Sequence, residues 1–453
     1  MKVIVAGCGK IGRAIIESLV SDGHDVTAID CDSSVIESVS TSFDVMAVCG
    51  SATSRENLAH ADVAECDLFV AVTESDEINM LSCFIAKRMG AAYTVARIRK
   101  SEYNDDGLDY LSKQLDLSMA LNPELLTAET LFNLLKLPST MGVDTFAGKK
   151  LQILEFMLRE NSPMVNTTLA DLRARSSVPF LACVAQRGES VCVPNGAYEL
   201  HAGDKIAFMV RSSEAHKFLR SIKMVQKQAH DVILLGASNI AYYLAKLLLS
   251  NNYSVKIIEK NPDRCAEIAE KLPSNATIIC GDGTSQDLLW EEGIKTTDAF
   301  VALTGKDEEN ILVSFYAMSQ HVPKVISKVS HVELSSLATN LGLDCVVSSQ
   351  KFVADVITRY ARALNSSLGS KVETRYSLAE NKAEALEFSV LADCKLVGIP
   401  LKDLNLKPNY IVAGIIRDKE TIIPSGSDFV SVGDKVIVVA VGARLFDLSE
   451  ILR

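Results

Sequence analysis

The chain repeats its own pattern from one half to the other. An apolar run that ends in glycine, Val3–Gly7, returns as Val232–Gly236, and the acidic residue Asp30 returns as Glu259; both displacements are 229 residues. Further matches follow in the same order, ending with a Gly-Asp pair before an apolar run in each half. A chain of 453 residues with this internal similarity is predicted to fold as a tandem duplication.

The beginning of the first half has the pattern of a dinucleotide-binding unit. An apolar strand leads into Gly7, Gly9 and Gly12, a helical pattern follows, and a second strand ends in Asp30. Gly7 permits a sharp turn, Gly9 lets a pyrophosphate approach the backbone, and Gly12 lets the helix pack closely on the strand. The free N–H groups at the helix start favour phosphate. Asp30 would accept hydrogen bonds from ribose hydroxyls, which favours NAD over NADP.

The alternative interpretation is a Rossmann fold without a ligand, in which the glycines serve packing alone. Gly9 argues against it, because that glycine has little packing use unless a ligand comes close. Strands alternate with helices up to residue 99, which predicts a parallel, doubly wound sheet. Gly7, Asp30, Ala52 and Thr73 all fall at carboxyl ends of strands, where such sheets bind ligands.

A further helix begins after this sheet, with Asn122 as its cap and Pro123 in its first turn. Its apolar face could pack on its own unit or cross to the second Rossmann unit, and the pattern favours neither. From Leu151 the sequence pattern changes to successive short strands, which predicts a small α+β domain of about 70 residues. The polar stretch 223–230 is predicted to be a linker before the pattern restarts.

The second glycine loop departs from the first, because Ser238 and Ala241 replace two of its glycines. A Cβ at Ser238 would push a pyrophosphate away, although Glu259 keeps an acid at the ribose position and Asp282 adds another carboxylate. Three interpretations stay open for this second site: weak nucleotide binding, another ligand, or a purely structural loop.

Composition excludes several classes of function. The formal net charge of −11 argues against nucleic acid or anionic lipid as the main partner. No apolar run is long enough to span a membrane, and the chain enters a strand at once, so we expect neither membrane insertion nor a signal peptide.

The 11 cysteines are scattered, with no C-x-x-C pair and no metal-ligand spacing. Most lie in apolar runs, which predicts buried, reduced thiols and a cytoplasmic protein with no metal site. The examples are Cys49, Cys183, Cys192 and Cys280. Trp290, the single tryptophan, is expected in a core.

No general acid and base can be placed together from the sequence. A dehydrogenase needs a proton donor and a substrate domain, whereas two small domains of alternating strands suit regulation or assembly better. We therefore expect no catalytic residues and no enzyme activity.

These residues together resemble the TrkA family, the regulatory subunits of Trk potassium-uptake systems. The resemblance covers nearly the whole length and rests on the glycine loop 7–12, Asp30, the segments 71–80 and 96–99, and the duplicated layout. It implies two Rossmann-type RCK N-terminal domains, each followed by a small α+β RCK C-terminal domain. The implied bounds are 1–121 for the first Rossmann domain, 122–148 for a crossover helix and linker, 149–223 for the first small domain, 231–347 for the second Rossmann domain, 348–370 for a second crossover helix and 371–453 for the second small domain.

The resemblance also implies a cofactor, NAD or NADH, with ATP or ADP as a competing ligand. The glycine loop would hold the pyrophosphate, Asp30 the ribose, and two short segments the adenine side, while a phosphate contact comes from the fifth strand. The implied site residues are Gly7, Cys8, Gly9, Lys10, Ile11, Gly12, Asp30, Ala52, Thr53, Val72, Thr73 and Arg97. Glu259 and Asp282, taken from the comparison of the two halves rather than from the resemblance, are the candidates in the second half.

A protein of this kind would form a ring of four chains on the cytoplasmic side of a membrane potassium channel subunit and gate it. Ser51 departs from the family pattern, since related domains often carry an acid there. Two other hypotheses remain on the residues alone: an NAD-dependent oxidoreductase, and a nucleotide-sensing regulator of another cation transporter.

Overall fold

The computed structural model describes most of the chain. The described residues are 1–100, 106–136, 142–146, 150–158, 160, 162–224, 229–343, 345–366, 372–379, 382–392, 394–418, 420–442, 445 and 447–453. Residues 225–228 of the predicted linker, and 137–141, 147–149 and 367–371 beside the predicted domain bounds, lie outside them.

The first half begins with a parallel sheet of six strands in the order β3-β2-β1-β4-β5-β6, which is the doubly wound Rossmann order. The near-continuous apolar strands are buried because helices cover both faces of the sheet. The elements are β1 (Lys2–Ala6), α1 (Lys10–Ser21), β2 (Asp25–Asp30), α2 (Ser33–Ser42), β3 (Met46–Cys49), α3 (Arg55–His60), β4 (Leu68–Ala71), α4 (Asp76–Met89), β5 (Tyr93–Arg97), α5 (Asp106–Gln114), β6 (Met119–Leu121) and α6 (Pro123–Lys136).

The small domain that follows is an antiparallel sheet in the order β11-β10-β13-β8-β7, with a two-stranded sheet of β9 and β12 beside it. Its first strand falls inside the segment assigned from sequence to the linker. The elements are β7 (Gly142–Phe146), β8 (Leu151–Met157), β9 (Thr167–Thr168), α7 (Leu169–Arg175), β10 (Leu181–Arg187), β11 (Ser190–Cys192), β12 (Glu199–Leu200), β13 (Lys205–Arg211) and α8 (Ala215–Ser221).

The second half repeats both architectures, with sheet orders β16-β15-β14-β17-β18-β19 and β20-β21-β24-β22-β23. The α/β duplication predicted from sequence is therefore confirmed. The elements are β14 (Asp231–Leu235), α9 (Asn239–Ser250), β15 (Ser254–Glu259), α10 (Pro262–Lys271), β16 (Ala276–Cys280), α11 (Gln286–Glu291), β17 (Ala299–Ala302), α12 (Asp307–Ser319), β18 (Lys324–Lys328), α13 (Val332–Asn340), β19 (Val346–Val347), α14 (Ser349–Ser366), β20 (Val372–Leu378), β21 (Ala383–Ser389), β22 (Tyr410–Arg417), β23 (Glu420–Ile422) and β24 (Lys435–Val441).

The two long connecting helices exchange places between the halves. Leu131 and Leu135 of α6 are buried in one core with Leu244 and Leu248 of α9. This is the crossing arrangement, one of the two that the sequence pattern left open. Burying apolar side chains of this size stabilises the contact by roughly 1.5–3 kcal/mol each.

Helix α14 makes the reciprocal crossing, because Ile357 of α14 is buried in the core of the first Rossmann unit. Polar contacts fix its position: Thr358 Oγ1 donates to Ser18 Oγ at 2.8 Å, and Arg362 forms two hydrogen bonds of 2.7 and 2.9 Å with Asp22. Each connecting helix thus belongs to one half by sequence and to the other by packing.

The two small domains also share a core. Apolar residues of the first sheet, among them Ile153 and Met209, pack with residues of the second, among them Ala413 and Ile437. The halves are therefore joined at two levels, through the exchanged helices and through the small domains.

Three burial predictions were wrong. Cys49 and Cys280 are exposed, because each ends the outermost strand of its Rossmann sheet. Trp290 is 59% exposed and lies on the surface helix α11, where the Nζ of Lys295 approaches its ring to 4.5 Å. Cys183 is buried as predicted, while Cys192 is half-buried.

Candidate nucleotide site

The glycine loop of the first half has a different use for each glycine. Gly7 has φ +95°, and a Cβ there would lie 2.7 Å from the backbone nitrogen of Thr73. A Cβ on Gly12 would lie 1.9 Å from the Gly7 carbonyl oxygen. The packing of this first loop therefore requires these two glycines, although the second half accepts Ala241 at the position of Gly12.

Gly9 is different, because a Cβ added to it would have no heavy atom within 4 Å. Gly9 is exposed and forms the cap of α1, and no side chain caps that helix. The first N–H groups of a helix have no partner within the helix, and the helix dipole favours negative charge beside them. An open helix start of this kind is where proteins commonly bind anions, so Gly9 is the candidate position for a phosphate.

Asp30 lies beside this loop at the end of β2 and is half-buried. Its carboxylate accepts hydrogen bonds from the N–H of Cys8 at 2.6 Å and from the N–H of Asp32 at 3.0 Å. The acid predicted to bind ribose is thus oriented by two backbone donors.

The other residues of the loop contribute in different ways. Cys8 is buried, and burial raises the pKa of its thiol to about 12, so it contributes its backbone rather than a reactive sulfur. Lys10 is exposed and Ile11 is half-buried at the first turn of α1. Only Lys10 among these side chains can offer a positive charge to a ligand from the solvent side.

The segment predicted to face adenine follows β3. Ala52 is buried and Thr53 is half-buried. The hydroxyl groups of Ser51 and Thr53 are 2.8 Å apart, and the side-chain amide of Asn57 donates to the Ser51 carbonyl at 3.1 Å. With serine rather than an acid at this position, the turn is held by hydroxyl and amide groups.

The predicted segment after β4 is organised by a buried asparagine. Val72 is buried, and Thr73 donates to Asn79 Oδ1 through its N–H at 2.8 Å and its hydroxyl at 2.7 Å. The Asn79 amide donates in turn to the carbonyls of Thr73 and Arg97, at 3.1 and 3.0 Å. One side chain therefore ties together the carboxyl ends of two neighbouring strands.

Arg97 was predicted to reach phosphate. Its side chain is buried beside the Thr73 carbonyl. The residue is only 7% exposed, and its Nη2 donates to the Thr73 carbonyl. Its Nε has no partner among the described residues. Burial lowers the pKa of this guanidinium, and Arg99 lowers it further.

Charged groups of the two halves interact around Glu124, which lies near Arg97. Burial raises the pKa of Glu124, at the start of α6, against the attraction of Arg99 and Arg97. Burial lowers the pKa of Lys328, at the end of β18, and Lys10 lowers it further, while Asp307 and Glu124 raise it. The electrostatics of the first site thus extend into the second half.

The second glycine loop closes its own helix terminus. Ser238 caps α9, and its hydroxyl accepts a hydrogen bond from the Ala241 N–H at 3.3 Å. Arg264 reaches across the loop, donating to the Ala237 carbonyl at 2.7 Å and to Asn239 Oδ1 at 2.8 Å. The start of this helix thus has a side-chain cap that the first half lacks.

The two acids proposed for the second site have different surroundings. Glu259 accepts from the N–H groups of Ala237 and Asn261, at 2.8 and 2.9 Å, as Asp30 does in the first half. Asp282 is exposed, and hydrogen bonds from the N–H and hydroxyl of Thr284 lower its pKa. Each carboxylate therefore has a structural role in a loop.

Sequence reasoning missed the positioning role of Asn79 and of its counterpart Asn310. Asn310 accepts from Thr304 and donates to the carbonyl of Lys328 at 2.9 Å, which repeats the first network. A threonine followed six residues later by asparagine in both halves was the available signal.

The described residues contain neither a membrane-spanning helix nor a cluster of metal ligands. None of the helices described there combines the length and apolar character needed to cross a bilayer. Within the same residues, no group of three or more histidine, cysteine, aspartate or glutamate side chains is placed to hold a metal ion.

Family models match four segments of the chain. The model described as TrkA-N domain matches residues 3–123 and 232–349, and the model described as TrkA-C domain matches 153–223 and 385–453. These matches cover both Rossmann units and both small domains.

Two curated relatives match nearly the full length. The chain is 32% identical over 453 residues to a Trk system potassium uptake protein TrkA homolog of Archaeoglobus fulgidus, with all of both chains covered. It is 28% identical over 454 residues to the Trk system potassium uptake protein TrkA of Vibrio alginolyticus, covering 98% of this chain and 96% of the relative.

Solved structures share the fold at low identity. The RCK domain of GsuK superposes with a TM-score of 0.61 at 15% identity, covering 97% of this chain and 92% of that chain. The GsuK channel bound to NAD gives a TM-score of 0.60 at 15% identity, covering 97% and 76%.

Proposed function

Because the chain belongs to the TrkA family, whose N- and C-terminal domains it carries twice, we propose that it is the regulatory subunit of a Trk-type potassium uptake system. It binds NAD or NADH in the first Rossmann unit, with ATP or ADP as competing ligands. It acts through a change of shape, without turnover. The full-length relatives are named as Trk system potassium uptake proteins, which supports the assignment to such a system.

One observation supports the nucleotide site above the others: the uncapped terminus of α1 at Gly9, with Asp30 beside it. In this proposal the pyrophosphate lies on the N–H groups of residues 9–12 and the ribose hydroxyls donate to Asp30. Ala52, Thr53, Val72 and Thr73 line the adenine side. Lys10 adds positive charge, and Arg97 holds the Thr73 segment in place through its hydrogen bond to the Thr73 carbonyl.

The exchanged helices give the nucleotide a route to the rest of the molecule. The ligand would bind at the beginning of α1, and α1 packs against α14 of the other half. Helix α14 leads towards the second small domain. A nucleotide that binds one arrangement of these elements more tightly shifts the population towards it, by no more than its difference in affinity.

The partners proposed for this chain follow from the same assignment. Four copies form a ring on the cytoplasmic face of the membrane, attached through a potassium channel subunit rather than by insertion. Nucleic acid is not a partner, consistent with the net charge of −11. The second Rossmann unit takes part in assembly, with its own glycine loop closed.

Calorimetry with NADH tests the site. Asp30→Ala removes the proposed acceptor of the ribose hydroxyls, and we expect binding to weaken by about 1–3 kcal/mol. Glu259→Ala is the matched control, because Glu259 accepts the equivalent loop N–H in the second half. Equal NADH affinity in the wild type and Asp30→Ala would contradict the assignment, and steady NADH oxidation with any substrate would contradict the non-enzymatic role.

Affinity capture from membranes tests the partner. The tagged chain is incubated with solubilised membranes with and without NADH, and captured proteins are identified by mass spectrometry. A potassium channel subunit whose recovery depends on NADH is the expected result. Recovery of a different cation transporter would replace the proposed partner.

A further inference from the structure

A cavity of about 430 Å³ lies between the second Rossmann unit and the first small domain. Its walls come from the segment after β18 and helix α13, from the beginning of α14, and from strands β8, β10 and β13. Cavities that hold small molecules have volumes of about 300–1,000 Å³ and often lie between domains. This one is separate from the glycine loops of both halves.

The polar lining of the cavity is mostly hydroxyl and cationic. Ser330, Ser335 and Ser336 supply hydroxyl groups from one wall, and Lys351 lies at the beginning of α14. Lys205 and Glu155 come from the small domain. The lining thus holds two lysines and one carboxylate, an excess of one positive charge in a chain whose net charge is −11.

His331 is held in a fixed orientation in this wall. Its Nδ1 lies 2.7 Å from Asp307 Oδ2, and the same oxygen accepts the N–H groups of Ser330 and His331 at 2.8 and 2.9 Å. The ring nitrogen that remains for another partner is Nε2. A carboxylate bonded to one imidazole nitrogen orients the ring and leaves the other nitrogen to face the cavity.

The corresponding segment of the first half carries different side chains from the cavity wall of the second half. There Asp76 accepts the backbone N–H groups of Arg99 and Lys100, both at 2.8 Å, as Asp307 accepts those of Ser330 and His331. Two long cationic side chains are thus replaced by a serine and a histidine on the same backbone scaffold. Smaller side chains leave room, and their polar groups remain to line it.

We propose that this cavity binds a small metabolite anion with several oxygens, carried by phosphate or carboxylate groups. The serine hydroxyls and His331 would contact it from the Rossmann side, and Lys351 would balance its charge. A ligand there would join the second Rossmann unit to the first small domain and hold their relative position. It would bind independently of a nucleotide at Gly9.

Calorimetry on the full-length chain tests this with three probes: inorganic phosphate, glucose 6-phosphate and citrate. We expect at least one to bind, and its identity distinguishes a phosphate from a carboxylate ligand. Lys351→Met removes the cation, and Ser336→Leu fills the space; each should weaken binding about tenfold. Lys246→Met, an exposed lysine on α9 outside the cavity lining, is the matched control and should bind like the wild type.

Thermal unfolding and NADH titration of each variant separate loss of the cavity ligand from misfolding and from failure of the nucleotide site. Unchanged melting temperatures with weaker probe binding in Lys351→Met would support the proposal, whatever the NADH result. Absence of binding by all three probes, or equal binding in the wild type, Lys351→Met and Ser336→Leu, would overturn it.

Discussion

The two glycine loops of this chain have similar backbone geometry, but the helix start is uncapped in the first and capped in the second. Both turn at a glycine with positive φ, Gly7 at +95° and Gly236 at +91°, and both place an acid against the loop N–H. The first helix then begins at Gly9 without a side-chain cap, while the second begins at Ser238 with one. A Rossmann unit can therefore keep its fold whether its first helix begins with a side-chain cap or without one.

The comparison separates the two glycines that are closely packed in the first loop from the one that has open space beside it. Gly7 and Gly12 are packed against backbone atoms in the first half, whereas Gly9 has free space. The second half keeps the turn glycine and changes the other two positions. Replacement of glycine by serine at this one position is thus enough to give the helix start a side-chain cap of its own.

The largest expected effect tests the exchange of helices between the halves. Leu131→Ala and Ile357→Ala each remove a fully buried side chain, which costs roughly 2–5 kcal/mol of the free energy of unfolding. Hydrogen exchange should then rise in α9 for Leu131→Ala and in α1 for Ile357→Ala, because each helix packs on the opposite half.

Leu337→Ala is the control for this pair, since Leu337 is 53% exposed on α13, and its effect should stay within about 0.5 kcal/mol. Faster exchange confined to the Rossmann unit that precedes each mutated helix in the chain would show that the crossing does not occur.

The next effect concerns the open loop itself. Gly9→Val places a branched side chain where the structure has no neighbouring atom, so the fold should tolerate it while a pyrophosphate is excluded. We expect NADH affinity to fall about a hundredfold, or about 2.7 kcal/mol, by calorimetry. Gly12→Ala is the contrast: its Cβ would meet the Gly7 carbonyl, so the melting temperature should fall together with binding.

A smaller effect is expected where the second loop caps itself. Ser238→Ala removes the side-chain acceptor for the Ala241 N–H, and caps of this kind contribute about 1 kcal/mol. Chemical unfolding should register that loss, while NADH affinity stays at the wild-type value. Weaker NADH binding in this variant would instead place nucleotide at the second loop.

Much of this architecture can be predicted from the sequence, because it depends on local signals repeated twice. The alternation of apolar strands with helices predicts the parallel, doubly wound sheets that the structure has, and Asp30 lies beside the glycine loop as its spacing from Gly7 indicates. The repeated Gly-Asp pair likewise indicates the return of the small domain. Each of these signals lies within one supersecondary unit.

What failed depends on contacts between distant segments. The apolar run before Cys280 predicts a buried strand, yet the last residue of an outer strand is open to solvent. The apolar face of α6 shows that a partner exists without indicating which half supplies it. The arginine that pairs with Asp204 lies 17 residues earlier, and the same spacing in the second half is the one sequence signal that joins them.

The same arginine–carboxylate pair is present in both small domains, and we expect the smallest effect from disrupting it. Arg187 donates to both oxygens of Asp204 at 2.7 Å, and Arg417 donates to both oxygens of Asp434 at 3.0 and 2.9 Å. Burial works to raise the pKa of Asp204, but hydrogen bonds from Arg187 and the His201 N–H outweigh it and leave that pKa below its ordinary value.

A carboxyl pKa lower in the folded than in the unfolded chain stabilises the fold above the unfolded value, and the contribution is lost as pH falls through the folded one. The stability added by Asp204 should therefore be present at pH 7 and disappear below about pH 4. Because Arg187 is 45% exposed, water screens the pair, and we expect about 0.5–1 kcal/mol. Asp204→Asn should lower the free energy of unfolding by that amount at pH 7 and flatten its decline in acid, as measured by urea titration across pH. An equal decline in acid for wild type and variant would assign the acid sensitivity to other carboxylates.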